Sequence, residues 1–192
     1  MFPDEHIPLF LNLRHRTKYD LHRECIYLKQ KIKQAVQEAY TTMYSSLNDE
    51  QIYAAVLVTD GDCGSLYLTI GTEKSLIEIG QNYEDDPENY RFLKDEYLHY
   101  DETDMLEKIS RELLDTILHI EDEEFVKHKE MLHQAMSDTM YELKQEGIIN
   151  ESIFVFISVT DDDQDEILEL TSAKRCNPNH PLLPAFIRNW QY

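Results

Sequence analysis

The chain has 192 residues and carries 38 acidic against 18 basic side chains, a formal net charge of −20. A chain of this length forms one domain and buries a core without staples. Its anionic balance disfavours nucleic-acid phosphates and anionic lipid and favours basic proteins or cations.

Residues 1–17 read as an arm, with a short apolar run broken by Pro8 and followed by Arg14-His15-Arg16. The start has no positive n-region and no run long enough to cross a bilayer, which predicts a cytoplasmic protein. Cys25, Cys63 and Cys176 are far apart and form no CxxC pair. So sparse and odd a set fits reduced thiols.

A single α+β domain is expected over 18–192. Leu21, Cys25, Leu28, Ile32, Ala35, Val36, Ala39 and Met43 recur at three- and four-residue intervals and predict a helix over 18–46. Its other face carries Lys29, Lys31 and Lys33, and seven of nine charged residues between 14 and 34 are basic. A hairpin is expected over 51–70, turning at Asp60-Gly61-Asp62-Cys63-Gly64. Cys63, placed in that turn, is expected to be exposed.

Thr72 is placed to cap a helix with Ser75 at its third position. Residues 81–100 are turn-rich and aromatic. Helices follow from Asp101, as N-cap, and over 122–146, with Gly147 as the terminating residue. The β-branched and aromatic run at 153–160 reads as the central strand, covered on both faces. Helices over 166–175 and 182–190 complete the chain. The predicted architecture is a small mixed or antiparallel sheet, hairpin plus central strand, packed against several helices.

Few residues carry a recognisable chemistry. The chain lacks a G-x-S-x-G elbow, a P-loop, a G-x-G-x-x-G turn and an HExxH pair. His128 and His133 are five apart, which is not zinc spacing. Asp161-x-Asp163-x-Asp165 opens like a calcium loop. However, Glu166 stands where the turn needs glycine, and Ser172 stands where a bidentate glutamate belongs. If the strands before Asp60 and Asp161 are parallel neighbours, then Asp60, Asp62, Asp161 and Asp163 meet and suit a divalent ion. This is the enzyme alternative; no cofactor or metal is expected in the leading reading.

That reading comes from residues 84–124, where sixteen acidic residues face four basic ones. Two clusters, Glu84, Asp85, Asp86, Glu88 and Glu121, Asp122, Glu123, Glu124, bracket an aromatic stretch with Tyr90 and Tyr97. Tyrosines among carboxylates suit an arginine- and lysine-rich protein surface. A third reading is a subunit of a larger assembly, in which the basic 14–34 segment of one copy meets the acidic 84–124 segment of another.

The residue series Tyr53-Ala-Ala-Val-Leu-Val-Thr-Asp60, Tyr90-Arg91-Phe92 with Glu96-Tyr97, and Phe156-Ile157-Ser158-Val159-Thr160-Asp161-Asp162-Asp163 runs along the chain. With Ser172-Ala173-Lys174-Arg175-Cys176-Asn177-Pro178, it resembles the bacterial family of domain of unknown function 4303 over residues 21–190. Phe92 and Tyr97 stand where that family typically has tryptophans. The resemblance implies an α+β fold and a role as immunity protein to a secreted or contact-delivered toxin, and it carries over no established enzymatic activity. Lys174 and Arg175 are expected to clasp the 161–163 loop.

Overall fold

The computed structural model describes residues 18–47, 50–101, 103–160 and 165–190, with side chains from Cys25 onward apart from that of Asp165. The 1–17 arm lies outside the described residues.

Four strands form one mixed sheet in the order β3-β2-β1-β4: β1 Ile52–Asp60, β2 Leu66–Thr72, β3 His99–Tyr100 and β4 Phe154–Thr160. β1 pairs antiparallel with β2 and parallel with β4. The centre of the sheet is therefore β1. β4, expected there, is the edge strand.

The helices are α1 Lys18–Ser46, α2 Glu73–Tyr83, α3 Asp104–Ile117, α4 Asp122–Gln145, α5 Asp165–Cys176 and α6 Leu183–Asn189. Side-chain alternation along the strands sorts them into layers. Ala55, Leu57, Leu66, Leu68, Val155 and Ile157 face a core built with α1, α3 and α4. Ala54, Val56, Val58, Phe154 and Phe156 face a second core with Leu76 of α2, Phe92, Tyr97 and Phe186 of α6. α5 runs along the open edge of β4 and contributes to both cores, through Cys176 on one side and Ala173 on the other.

Several local expectations hold in detail. The apolar stripe of α1 is buried from Leu28 to Met43. Thr72 and Ser75 form a reciprocal capping box at α2. After α4, Gly147 adopts φ +72 and donates its N–H to the Lys144 carbonyl, while Ile148 donates to the Leu143 carbonyl. That is a Schellman termination, and the left-handed residue it requires is glycine for steric reasons.

Others differ. Asp101 does not cap α3: Thr103 holds the cap position, and Asp101 instead accepts bonds from the Thr103 N–H and hydroxyl. Cys63 is fully buried under the hairpin turn, at φ +59, instead of exposed.

β4 can stand at the edge and still be buried because α5 takes the place of a fifth strand. In a parallel ladder alternate residues turn both peptide groups away from the paired neighbour. At Val155 these groups meet one side chain: the Val155 N–H donates to Asn177 Oδ1 at 3.0 Å, and Asn177 Nδ2 donates to the Val155 carbonyl at 2.6 Å. The Ile157 N–H donates to Ser172 Oγ at 3.1 Å. The Ser172 to Pro178 series thus hides an edge that would otherwise template strand addition.

Candidate functional site

The basic stripe of α1 is engaged inside the molecule. Lys29 pairs with Glu142, Lys31 with Glu112, and Lys33 with both Glu142 and Glu146. Lys31–Glu112 joins the basic and acidic segments within one chain, so the described part of the 14–34 segment is committed before any second copy arrives. Arg175 pairs with Asp138 at 2.6 Å and lies over the Tyr141 ring; the 161–163 loop that Lys174 and Arg175 are expected to clasp lies outside the described residues.

The parallel register sets Asp60 opposite Thr160. The condition for a strand-end carboxylate cluster is therefore met by the topology. Asp60 itself accepts the Gly64 N–H at 2.7 Å, as a turn-forming aspartate does. Asp161 and Asp163 lie outside the described residues, and among the described residues no group of three or more His, Cys, Asp or Glu could hold a metal ion.

The two acidic clusters separate. Glu121, Asp122 and Glu123 are exposed and Glu124 half-buried at the start of α4, where three acidic residues complement the helix dipole. α4 belongs to the first core layer. Residues 84–90 pack with the second, on the other face of the sheet. The clusters thus do not form one surface.

The 84–90 segment is a structured ridge. α2 ends with Glu84 at φ +54, and the chain doubles back, the Asp85 N–H donating to the Gly80 carbonyl. Gly80 is required by that close return: a Cβ there would stand 2.5 Å from Pro87 Cγ. Asp86 caps the 3-10 turn Pro87–Tyr90 through the Glu88 N–H. Asp85 accepts from the Asp86 N–H, from Asn89 and from the Tyr90 hydroxyl, and these donors hold its carboxyl below the usual range, the Asp86 N–H foremost.

On this ridge Tyr83, 57% exposed, stacks on Tyr90 with centroids 5.3 Å apart and planes at 18°. The Tyr83 hydroxyl donates to Glu96 at 3.3 Å. No cation among the described residues pairs with Glu84, Asp85 or Asp86.

Glu88 is committed differently. Arg91 is buried between Glu88 and Glu73, bonds both carboxylates through its guanidinium, and lies over the Tyr53 ring at 4.7 Å. Tyr97 is not at the surface. It is 1% exposed, meets Tyr53 edge-on at 5.9 Å and donates its hydroxyl to the Arg91 carbonyl at 2.7 Å. Its ring fills the second core, so it cannot touch a partner. Tyr83, which sequence reasoning placed in a loop, is the exposed aromatic instead. Spacing sets it in line with the buried Leu76, Ile79 and Gly80 of α2, so nothing in the sequence marked it as exposed.

Below Arg91 lies a second feature that sequence reasoning missed. A groove of about 970 Å³ opens at the start of β1 and β4 and is lined by Tyr53, Arg91, Lys144, Cys176, Asn177 and His180 among others. Lys144, 7% exposed, donates to the Ile153 carbonyl at 2.8 Å and to Asn177 Oδ1 at 2.5 Å. Burial pushes its ammonium down to about 8 and pushes the neighbouring Cys176 thiol up to about 11. His180 meets the Ser152 carbonyl through Nε2 and accepts the Leu182 N–H at Nδ1, which fixes the neutral tautomer protonated on Nε2.

The lysine shift has a testable sign. Folding lowers the affinity of Lys144 for its proton, so between about 8 and the unfolded value of about 10.4 the unfolded chain holds more protons. The cost of burying the ammonium is present below pH 8 and is relieved as pH rises through that window. Urea unfolding of wild type and Lys144→Met across it is expected to show the wild-type stability gaining on the variant. A constant difference between the two would contradict the assignment. The buried tyrosines act in the opposite direction at high pH but are common to both proteins and cancel; Cys176 also opposes, and because Lys144 itself lowers that thiol, the comparison is made with Cys176→Ala in both proteins.

Among the described residues no helix is long and apolar enough to cross a membrane. The family described as Domain of unknown function (DUF4303) matches residues 32–178. The matched span runs from the middle of α1 to the Asn177-Pro178 end of α5 and leaves out α6. No curated protein and no solved structure matches the chain significantly.

Proposed function

Given that the chain belongs to the Domain of unknown function (DUF4303) family, we propose that it is a non-enzymatic binding protein that caps a basic protein partner through the 83–90 ridge. At finer detail, we propose that this partner is a toxin that the chain neutralises as an immunity protein. The observation that carries the reading is the stacked Tyr83–Tyr90 pair beside Glu84, Asp85 and Asp86, three carboxylates that no described cation pairs with. An exposed ring, Tyr83, stacked on the half-buried Tyr90 and set next to carboxylates offers arginine both cation–π and charge-assisted contacts. A net charge of −20 adds electrostatic steering toward a basic partner.

The partner is to be captured by cross-linking in the native host and titrated directly. Tyr83→Ala and Tyr90→Ala are each expected to weaken binding by about 2 kcal/mol, the cost of losing an interface anchor. Reversing Glu84, Asp85 and Asp86 to lysine is expected to slow association about tenfold or more at low salt. The same reversal at Glu121, Asp122 and Glu123 serves as the control and is expected to do far less. Ridge variants that bind like wild type would refute the assignment.

The metal-enzyme reading is favoured by one observation, the parallel register that brings Asp60 level with Thr160. Calorimetric titration with magnesium, manganese and calcium separates the two: heat on addition, abolished by Asp60→Asn, would favour the metal site.

A further inference from the structure

Among the described residues two cations are buried, Arg91 and Lys144. Arg91 is neutralised by Glu73 and Glu88. Lys144 has no carboxylate within ion-pair reach among the described residues. Its two acceptors, the Ile153 carbonyl and the Asn177 amide oxygen, are neutral. An ammonium offers three donors, so one of them has no acceptor among the described residues. Burying a charge with only neutral partners is costly, and proteins normally pair it or neutralise it.

This cation lines the groove, whose size of about 970 Å³ suits a small ligand or a chain end. The mouth of the groove has the opposite sign. Glu151 is exposed there, and Glu73 and Glu88 stand at the Arg91 side. Gln51, Gln145 and Asn179 contribute uncharged amides to the lining. The backbone beside it is irregular: Gln51 sits at φ +53, and the β1–β2 register shifts between Ile52 and Ala54. Strain of this kind gathers at ligand sites.

A cation at the floor and carboxylates at the mouth form an ordered pair of charges. A polyphosphate would be repelled at the entrance, whereas a zwitterion with its carboxylate inward would find both ends matched. We propose that this groove binds the α-carboxylate of an amino acid or of a peptide C-terminus, with Lys144 supplying the counter-charge and the Glu151 side facing the ligand's cationic end. The proposal does not depend on the ridge, with which it shares only Glu88.

The test is calorimetry and thermal shift on the full chain with four probes: arginine, arginine amide, glycyl-glycyl-arginine and the C-terminal amide of that tripeptide. The carboxylate forms are expected to bind and the amides to bind at least about tenfold more weakly. Tripeptide acid binding above arginine identifies a chain end as the ligand; the reverse identifies a free amino acid. Lys144→Met is expected to reduce the acids to the level of the amides. Because that variant alters a buried site, wild type labelled with ¹³C at lysine Cε provides a second readout. The Lys144 resonance is expected to move with the acids and stay with the amides. Equal binding of acid and amide, no binding by either acid, or an unmoved Lys144 resonance would overturn the proposal.

Discussion

Asn177→Ala is expected to lower folding stability by roughly 3–5 kcal/mol, the cost of breaking a buried hydrogen-bond and charge network. Asn177 is 2% exposed and makes four bonds. Its Oδ1 accepts from the Val155 N–H and from Lys144 Nζ, and its Nδ2 donates to the carbonyls of Val155 and Ala173. Alanine leaves the Val155 N–H and carbonyl without a partner where water does not reach, at about 1–3 kcal/mol for each orphaned group, and removes an acceptor from a buried ammonium. Chemical denaturation measures the loss, and native-state hydrogen exchange should show protection disappearing first at Val155. A loss below about 1 kcal/mol would mean that ordinary surface hydration replaces these bonds and that the β4 edge is not sealed as described. Asn177→Asp refines the test. It gives Lys144 an ion pair but aims a carboxylate at two carbonyl oxygens, so it should remain destabilised despite the gained charge.

Phe186→Ala is expected to cost about 3–5 kcal/mol. The ring is fully buried and meets Phe92 edge-on at 5.2 Å, Phe154 at 5.1 Å and Phe156 at 4.9 Å. α6 has seven residues, too few to hold helical structure in isolation. Its docking therefore depends on this one side chain and its neighbours. Truncation can act by leaving a cavity or by releasing α6 outright. Amide exchange separates these: a cavity leaves α6 protected, whereas release exposes it at an opening free energy well below that of global unfolding. Stability within about 1 kcal/mol of wild type would show that the second core closes without α6.

Both variants concern the strand that the sequence suggests as the centre of the sheet. The run at 154–160 is apolar on both faces, and that pattern correctly gives a strand covered on both sides. Double-sided burial does not distinguish a strand flanked by two others from one flanked by a strand and a helix. The missing information was in Ser172 and Asn177. In one dimension they read as ordinary polar residues of a helix and its end. They act on β4 only because α5 folds back along it, fifteen and twenty-two residues away in the chain.

The ridge shows a similar limit. Composition locates the carboxylates at 84–88 and the tyrosines near them. It cannot say which ring is core, since Tyr97 and Tyr83 each sit among acidic neighbours. Tyr97 is buried by its place over Tyr53 and beside the Arg91 backbone, contacts made between separate segments. Lys144 was similarly hidden. A lysine one position before the end of an acidic helix has the appearance of a favourable dipole partner, and only the return of β4 and Asn177 over it makes it a buried cation.

The sequence by itself determined the main helices and strands and several of their local ends. The stripe of α1, the Thr72–Ser75 box and the Gly147 termination depend on contacts within a few residues, and such contacts are encoded by spacing and by backbone sterics. Only the tertiary structure decided the strand order, the division of the acidic clusters between two faces, the internal use of the α1 lysines and the groove at Lys144. Those depend on which distant segments meet, and the free energy that selects them belongs to the packed core as a whole and to no single stretch of chain.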